Sequence, residues 1–124
     1  MLTTSTVYQA YAGDGLRKKR MNRSNSFFNT PQEAISEALA LKEKMDSRYK
    51  NEIEWDYESK LSGSVEKVKI LKGYLGGDKD SKAFYLQITS VALQENCSVV
   101  KPIMPKKVSS KDKKVITKVT KLFR

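Results

Sequence analysis

Histidine is absent from this sequence of 124 residues, and cysteine occurs once, at Cys97. Without histidine the chain lacks the commonest general base and the commonest metal ligand, which excludes Ser-His and Cys-His nucleophile systems and ordinary zinc sites. A single thiol permits no internal disulfide, and with no histidine to activate it Cys97 is expected to be inert. The opening Met1-Leu2-Thr3-Thr4-Ser5 lacks a basic segment followed by an apolar run. The chain is therefore expected to be cytoplasmic and soluble, with no membrane span. Its length suits one domain and argues against a two-domain enzyme. Hydrophobic residues make up 39% and charged residues 31%, enough apolar material for a core and too much for wholesale disorder.

Acidic residues are also scarce. Against 24 Lys plus Arg stand 14 Asp plus Glu, for a net charge of +10 and a pI near 9.7. The excess is segregated. Residues 1–30 carry Arg17, Lys18, Lys19, Arg20 and Arg23 against Asp14, a net +4; residues 31–97 come to −2; residues 98–124 carry nine basic groups against Asp112, a net +8. Lysines serving only solubility would be spread evenly, whereas two basic ends around a near-neutral middle build local potentials suited to anionic partners.

Thr3 to Ala12, rich in Thr, Val and Tyr, reads as a strand, and Asp14-Gly15 is a strong hairpin signal. With those two as the loop, Ala12 faces Arg17, Ala10 faces Lys19 and Tyr8 faces Met21, while Tyr11, Gln9, Lys18 and Arg20 share the other side. A return strand charged on both faces is expected to be an exposed edge or projecting ribbon. Thr30-Pro31-Gln32-Glu33 opens a helix with a threonine cap, a first-turn proline and a capping-box glutamate. The helix is predicted from Pro31 to about Lys50, burying Ala34, Ile35, Ala38, Leu41, Met45 and Tyr49.

Glu52 to Glu58 alternates without interruption, with Ile53, Trp55 and Tyr57 on one face and four carboxylates on the other. A Ser62-Gly63 turn would pair Tyr57 with Val68, Trp55 with Ile70, Glu58 with Lys67 and Asp56 with Lys69. A third run, Lys82 to Leu93, turns Phe84, Leu86 and Ile88 inward. After Ser98, Pro102 and Pro105 favour an extended arm. Ser109 and Asp112 offer a second capping box, and Val115, Ile116, Val119, Leu122 and Phe123 lie on one arc of a helical wheel. Lys113, Lys114, Lys118, Lys121 and Arg124 lie on the opposite arc; the many β-branched residues would also suit a strand, but strand alternation mixes Lys118 with Ile116 and Leu122, so a helix is preferred. The predicted fold is α+β: an N-terminal β-hairpin, one long amphipathic helix on a three-stranded antiparallel meander, and a basic C-terminal arm with a short helix. It divides into a compact domain, residues 1–97, and the arm and helix, 98–124.

The basic hairpin is the leading candidate site. A two-stranded ribbon fits the major groove, where Arg17, Lys18, Lys19, Arg20 and Arg23 would reach phosphates or guanine edges while Tyr8 or Tyr11 packs beside them. Its bland alternative is a solvated edge that blocks aggregation. Lys106, Lys107, Lys113, Lys114, Lys118 and Lys121 form the second candidate, either meeting nucleic acid or an anionic membrane surface, or solvating a docked terminal helix. Glu52, Glu54, Asp56 and Glu58 could share Mg²⁺, but Lys67 and Lys69 across the ladder would neutralise them. Gly76 to Lys82 lacks the spacing of a phosphate cradle and reads as a hairpin loop.

Asp14-Gly15, then Arg17-Lys18-Lys19-Arg20, then Ser26-Phe27-Phe28-Asn29-Thr30-Pro31-Gln32-Glu33-Ala34 resemble the arm-type DNA-binding domain at the N-terminus of phage integrases. The resemblance spans residues 6–45. It implies a sheet that reads DNA, with Arg17, Lys19, Arg20 and their neighbours in contact. The chain departs from that family in having three strands after the helix and no recombinase domain. The expected activity is non-catalytic nucleic-acid binding, DNA favoured over RNA, with no metal and no cofactor. The alternatives are a small phage- or mobile-element-encoded regulatory protein that binds an acidic surface of a host protein, and a Mg²⁺-dependent nuclease.

Overall fold

The alternating apolar residues of the strand segments meet in one antiparallel sheet. In chain order the elements are β1 (Thr6–Asp14), β2 (Lys19–Met21), β3 (Ser26–Phe27), α1 (Pro31–Arg48), β4 (Ile53–Asp56), β5 (Ser62–Ser64), β6 (Lys67–Leu75), β7 (Phe84–Ala92), β8 (Ser98–Val99) and α2 (Ser110–Leu122). The computed structural model describes residues 6–14, 19–21, 26–57, 62–64, 66–78, 83–92 and 98–123. The sheet runs β2-β1-β7-β6-β4, with β5 also on β6, and β3 pairs with β8 in a separate parallel pair. The class is α+β, as the patterning predicts. The meander β4-β6-β7 forms, and β1 extends it by pairing with β7 from Thr6↔Ala92 to Gly13↔Tyr85. The first strand is thus interior to the sheet, and β2 is an edge.

Two registers differ from the sequence reading. β2 pairs as Ala12↔Met21, Gly13↔Arg20 and Asp14↔Lys19, so Asp14 ends a strand and does not sit in a two-residue loop. Its carboxylate is the reason: it is 1% exposed, accepts the Tyr49 hydroxyl at 2.7 Å and lies 3.6 Å from the Arg48 guanidinium. Burying that carboxylate with partners outweighs the local preference of Asp-Gly for a tight turn. In the second case Trp55 faces Gly73, not Ile70, and Asp56 faces Lys72, not Lys69. The indole lies over Gly73, where a Cβ would come within 2.7 Å of both the Trp55 ring and Ile53. Strand β5 takes the place that the shorter pairing would have filled, with Ser62↔Lys69 and Ser64↔Lys67. A bulge between Lys69 and Leu71 turns both Ile70 and Leu71 inward.

α1 begins where predicted. Thr30 Oγ1 accepts from the Glu33 amide at 3.2 Å and the hydroxyl donates to Glu33 Oε1 at 3.1 Å. Helix and inner sheet face share one core in which Ala34, Ile35, Ala38, Leu41 and Met45 meet Ala10, Ala12, Phe84, Leu86 and Ile88. Val115 and Val119 of α2 belong to the same cluster, while Leu122, assigned to the apolar stripe from sequence, is 37% exposed. α1 stops at Tyr49 because Lys50 and Asn51 both adopt positive φ, 55° and 61°.

Gly73→Ala should force the Trp55 ring and Ile53 aside and destabilise the protein by roughly 1–3 kcal/mol. Denaturant unfolding reads this, and a variant as stable as the parent would contradict the indole-over-glycine packing.

Candidate nucleic-acid interface

Local structure gathers Lys113, Lys114, Lys118 and Lys121 of α2 onto one surface. Ser109 caps the helix: its Oγ accepts from the Asp112 amide at 3.1 Å, and Asp112 Oδ2 accepts from the Ser109 amide at 3.2 Å. Helical spacing then turns Asp112, Val115 and Val119 to the core and leaves Lys113, Lys114, Thr117 and Lys118 exposed, with Lys121. Those five residues line a shallow depression of about 560 Å³. At the far end of the helix Phe123 packs edge-on against Tyr8, with ring centroids 5.6 Å apart.

The inward side of α2 is held by a polar cluster. Asp112 Oδ1 accepts the Tyr57 hydroxyl at 2.9 Å and lies 3.7 Å from Lys42 Nζ, which is also 3.6 Å from Asp46. Asp46 in turn accepts the Trp55 indole N–H at 2.8 Å. The Lys42 ammonium stands 5.6 Å from the Trp55 ring and 5.8 Å from that of Tyr57. Burial alone would lower the Lys42 pKa, but Tyr57, Asp112 and Asp46 outweigh it and hold it above the ordinary lysine value. Burial pushes the Tyr57 phenol up against the pull of Lys42, and Asp112 adds to the rise. Tyr57 is thereby kept a hydrogen-bond donor.

The other candidate residues fall elsewhere. Arg17, Lys18 and Arg23 lie outside the described residues. Lys19 and Arg20 belong to edge strand β2, with Arg20 opposite Gly13. Tyr11 is half-buried on the outer face of the sheet, away from both helices, and its hydroxyl donates to Gln9 Oε1 at 2.9 Å. Lys106 and Lys107 are exposed, and their backbone amides donate to the two oxygens of Glu43 at 2.8 and 2.9 Å. They border a cleft of about 970 Å³ between α1 and residues 103–109. The α2 lysines are thus brought together, Lys106 and Lys107 line a different concavity, and Tyr11 stands on the opposite side of the sheet.

Three carboxylates hold the fold in ways that local spacing does not reveal. Glu37 is 1% exposed and accepts the Ile103 amide at 3.0 Å; with Glu43 it fastens the segment before α2 to α1. Asp112 is legible as a cap but not as the partner of Tyr57 and Lys42. Nothing in the spacing of these acids marks them, because their partners are distant in sequence. Glu54 and Asp56 face Tyr74 and Lys72, and among the described residues no group of three or more Asp, Glu or Cys is gathered to hold a metal ion. No helix among the described residues is long and apolar enough to cross a membrane. No protein-family model, curated protein or solved structure matches the chain.

Because Lys42 and Tyr57 hold their protons more firmly folded than unfolded, the folded form binds the extra protons as pH passes their ordinary values of 10.5 and 10.0. Their stabilisation is complete below about pH 10 and is lost as pH rises further. Urea midpoints at pH 8 and 10.5 should therefore differ more in the parent chain than in a Lys42→Met, Tyr57→Phe double variant. Equal alkaline losses in the two would contradict the cluster.

Proposed function

We propose that the protein binds nucleic acid without catalysing a reaction on it, with the lysine face of α2 as its principal phosphate contact and duplex DNA as the favoured form. The observation that carries this reading is the division of α2 into an anchored side, Asp112, Val115 and Val119, and an exposed side of four lysines. A flexible basic tail neutralises phosphates at the expense of chain entropy, whereas a docked helix offers its ammonium groups already arrayed. From Lys113 to Lys121 the array extends about 12 Å along the helix axis, similar to the width of the major groove. The net +8 of residues 98–124 concentrates the potential that would draw in a polyanion. The basic segment Arg17, Lys18, Lys19, Arg20 and Arg23 would serve as a second contact, in line with the resemblance to the integrase arm domain.

Changing Lys113, Lys114, Lys118 and Lys121 together to glutamine should weaken binding to duplex DNA. The slope of log affinity against log salt should become shallower by about 0.9 for each phosphate no longer neutralised. Thermal stability should stay near that of the parent, since all four side chains are exposed. Fluorescence anisotropy over a salt series reads both quantities, and unaltered affinity and slope in a folded variant would contradict the reading.

A further inference from the structure

The sheet has a second face, and the observed registers leave its charge differently balanced from the sequence reading. Antiparallel partners share a face, so Gln9, Tyr11 and Gly13 of β1, Tyr85, Gln87 and Thr89 of β7, and Lys67, Lys69 and Lys72 of β6 stand together on the side away from the helices. The helices pack on the other side, against Tyr8, Asp14, Trp55, Tyr57 and Phe84. Pairing of Lys67 with Glu58 and Lys69 with Asp56 would have neutralised this outer face. Instead the cross-strand neighbours of Lys67 are Ser64 and Thr89, and those of Lys69 are Ser62 and Gln87, none of them acidic. Asp56 faces Lys72 and offsets its charge. Lys67 and Lys69 are both exposed.

Tyr85 lies at the centre of this arrangement. Its ring lies across Gly13, where a Cβ would overlap ring carbons, so the absence of a side chain at residue 13 is what lets the ring rest on the neighbouring strand. The Lys69 ammonium stands 4.7 Å from the ring centroid. Such a half-exposed cation–π contact is weak and readily exchanged for another partner. Tyr11 and Tyr85 occupy adjacent rows of the same face, about 7 Å apart along the strand direction, a separation similar to that of successive unstacked nucleotides.

We infer that this outer face binds single-stranded nucleic acid, with Tyr85 stacking on a base, Lys69 and Lys67 taking the flanking phosphates, and the half-buried Gln9 and Thr89 offering polar groups to base edges. Aromatic rings beside a basic track are the combination that holds single strands, because any base can stack while the backbone meets the cations. A duplex, whose bases are already stacked, gains nothing from Tyr85. This site is separate from the α2 lysines and does not require them to bind.

The test compares a fluorescein-labelled 12-nucleotide oligothymidine with the corresponding duplex in anisotropy titrations against the full chain and its variants. Lys67→Gln with Lys69→Gln changes exposed side chains and should leave folding intact while weakening single-strand binding and making its salt slope shallower by about 0.7 for each phosphate left without its lysine. Tyr85→Leu should weaken single-strand binding by about tenfold, Tyr85→Phe should bind as the parent does, and duplex affinity should be unchanged in all three. The α2 quadruple variant should lose duplex binding yet keep single-strand binding. Duplex binding by the parent without single-strand binding would overturn this inference and leave the α2 reading standing; single-strand binding without duplex binding would do the reverse. Unaltered single-strand affinity in the Lys67, Lys69 double variant overturns the inference whether or not Tyr85→Leu folds.

Discussion

The carboxylate of Asp112 joins three tasks that are usually given to separate residues. It completes the capping box of α2, accepts the hydroxyl of Tyr57 from the sheet and pairs with Lys42 from α1. A side chain that is 5% exposed and serves all three elements fixes where the C-terminal helix starts and which way its faces turn. The burial of Val115 and Val119, the outward array of lysines and the packing of Phe123 on Tyr8 follow from that placement. Losing the carboxylate would leave the Lys42 ammonium and the Tyr57 hydroxyl without one of their acceptors, a penalty larger than the loss of an exposed ion pair.

The chain's acids and bases occupy different places as well as different numbers. Asp14, Glu37, Asp46 and Asp112 accept hydrogen bonds in buried or half-buried positions, each from a group distant in sequence or in another element. Glu37 and Glu43 spend their oxygens on backbone amides of residues 103, 106 and 107, which fastens a proline-interrupted segment that has no strand ladder of its own. While these acids are engaged inside the fold, Lys113, Lys114, Lys118 and Lys121 stand exposed along α2.

Much of the architecture is legible in the sequence where a pattern is local. The Thr30 and Ser109 caps, the helix of residues 110–122, and the inward set Ile53, Trp55 and Tyr57 all depend on neighbours within one turn or one strand. What depends on distant partners is not legible. The register of β4 follows from the fit of Trp55 over Gly73, which the apparent complementarity of Asp56 with Lys69 could not outweigh, since an exposed ion pair contributes only about 0–1 kcal/mol. Asp14 reads as a turn residue from its neighbours alone because Tyr49 and Arg48, which hold it in the strand, are 35 and 34 positions away. Of the candidate site, the lysine arc of α2 follows from helical spacing, whereas the exposure of Lys67 and Lys69 beside Tyr85 emerges only once the registers are set.

The central claim is that Asp112 orients α2 so that its lysines meet a polyanion as a fixed array. The affinity of Asp112→Ala for duplex DNA tests it directly, because the substitution makes the chain more positive by one charge while removing the anchor. An oriented array predicts weaker binding than in the parent despite the added positive charge. Tighter binding, as net charge alone would dictate, would contradict the account.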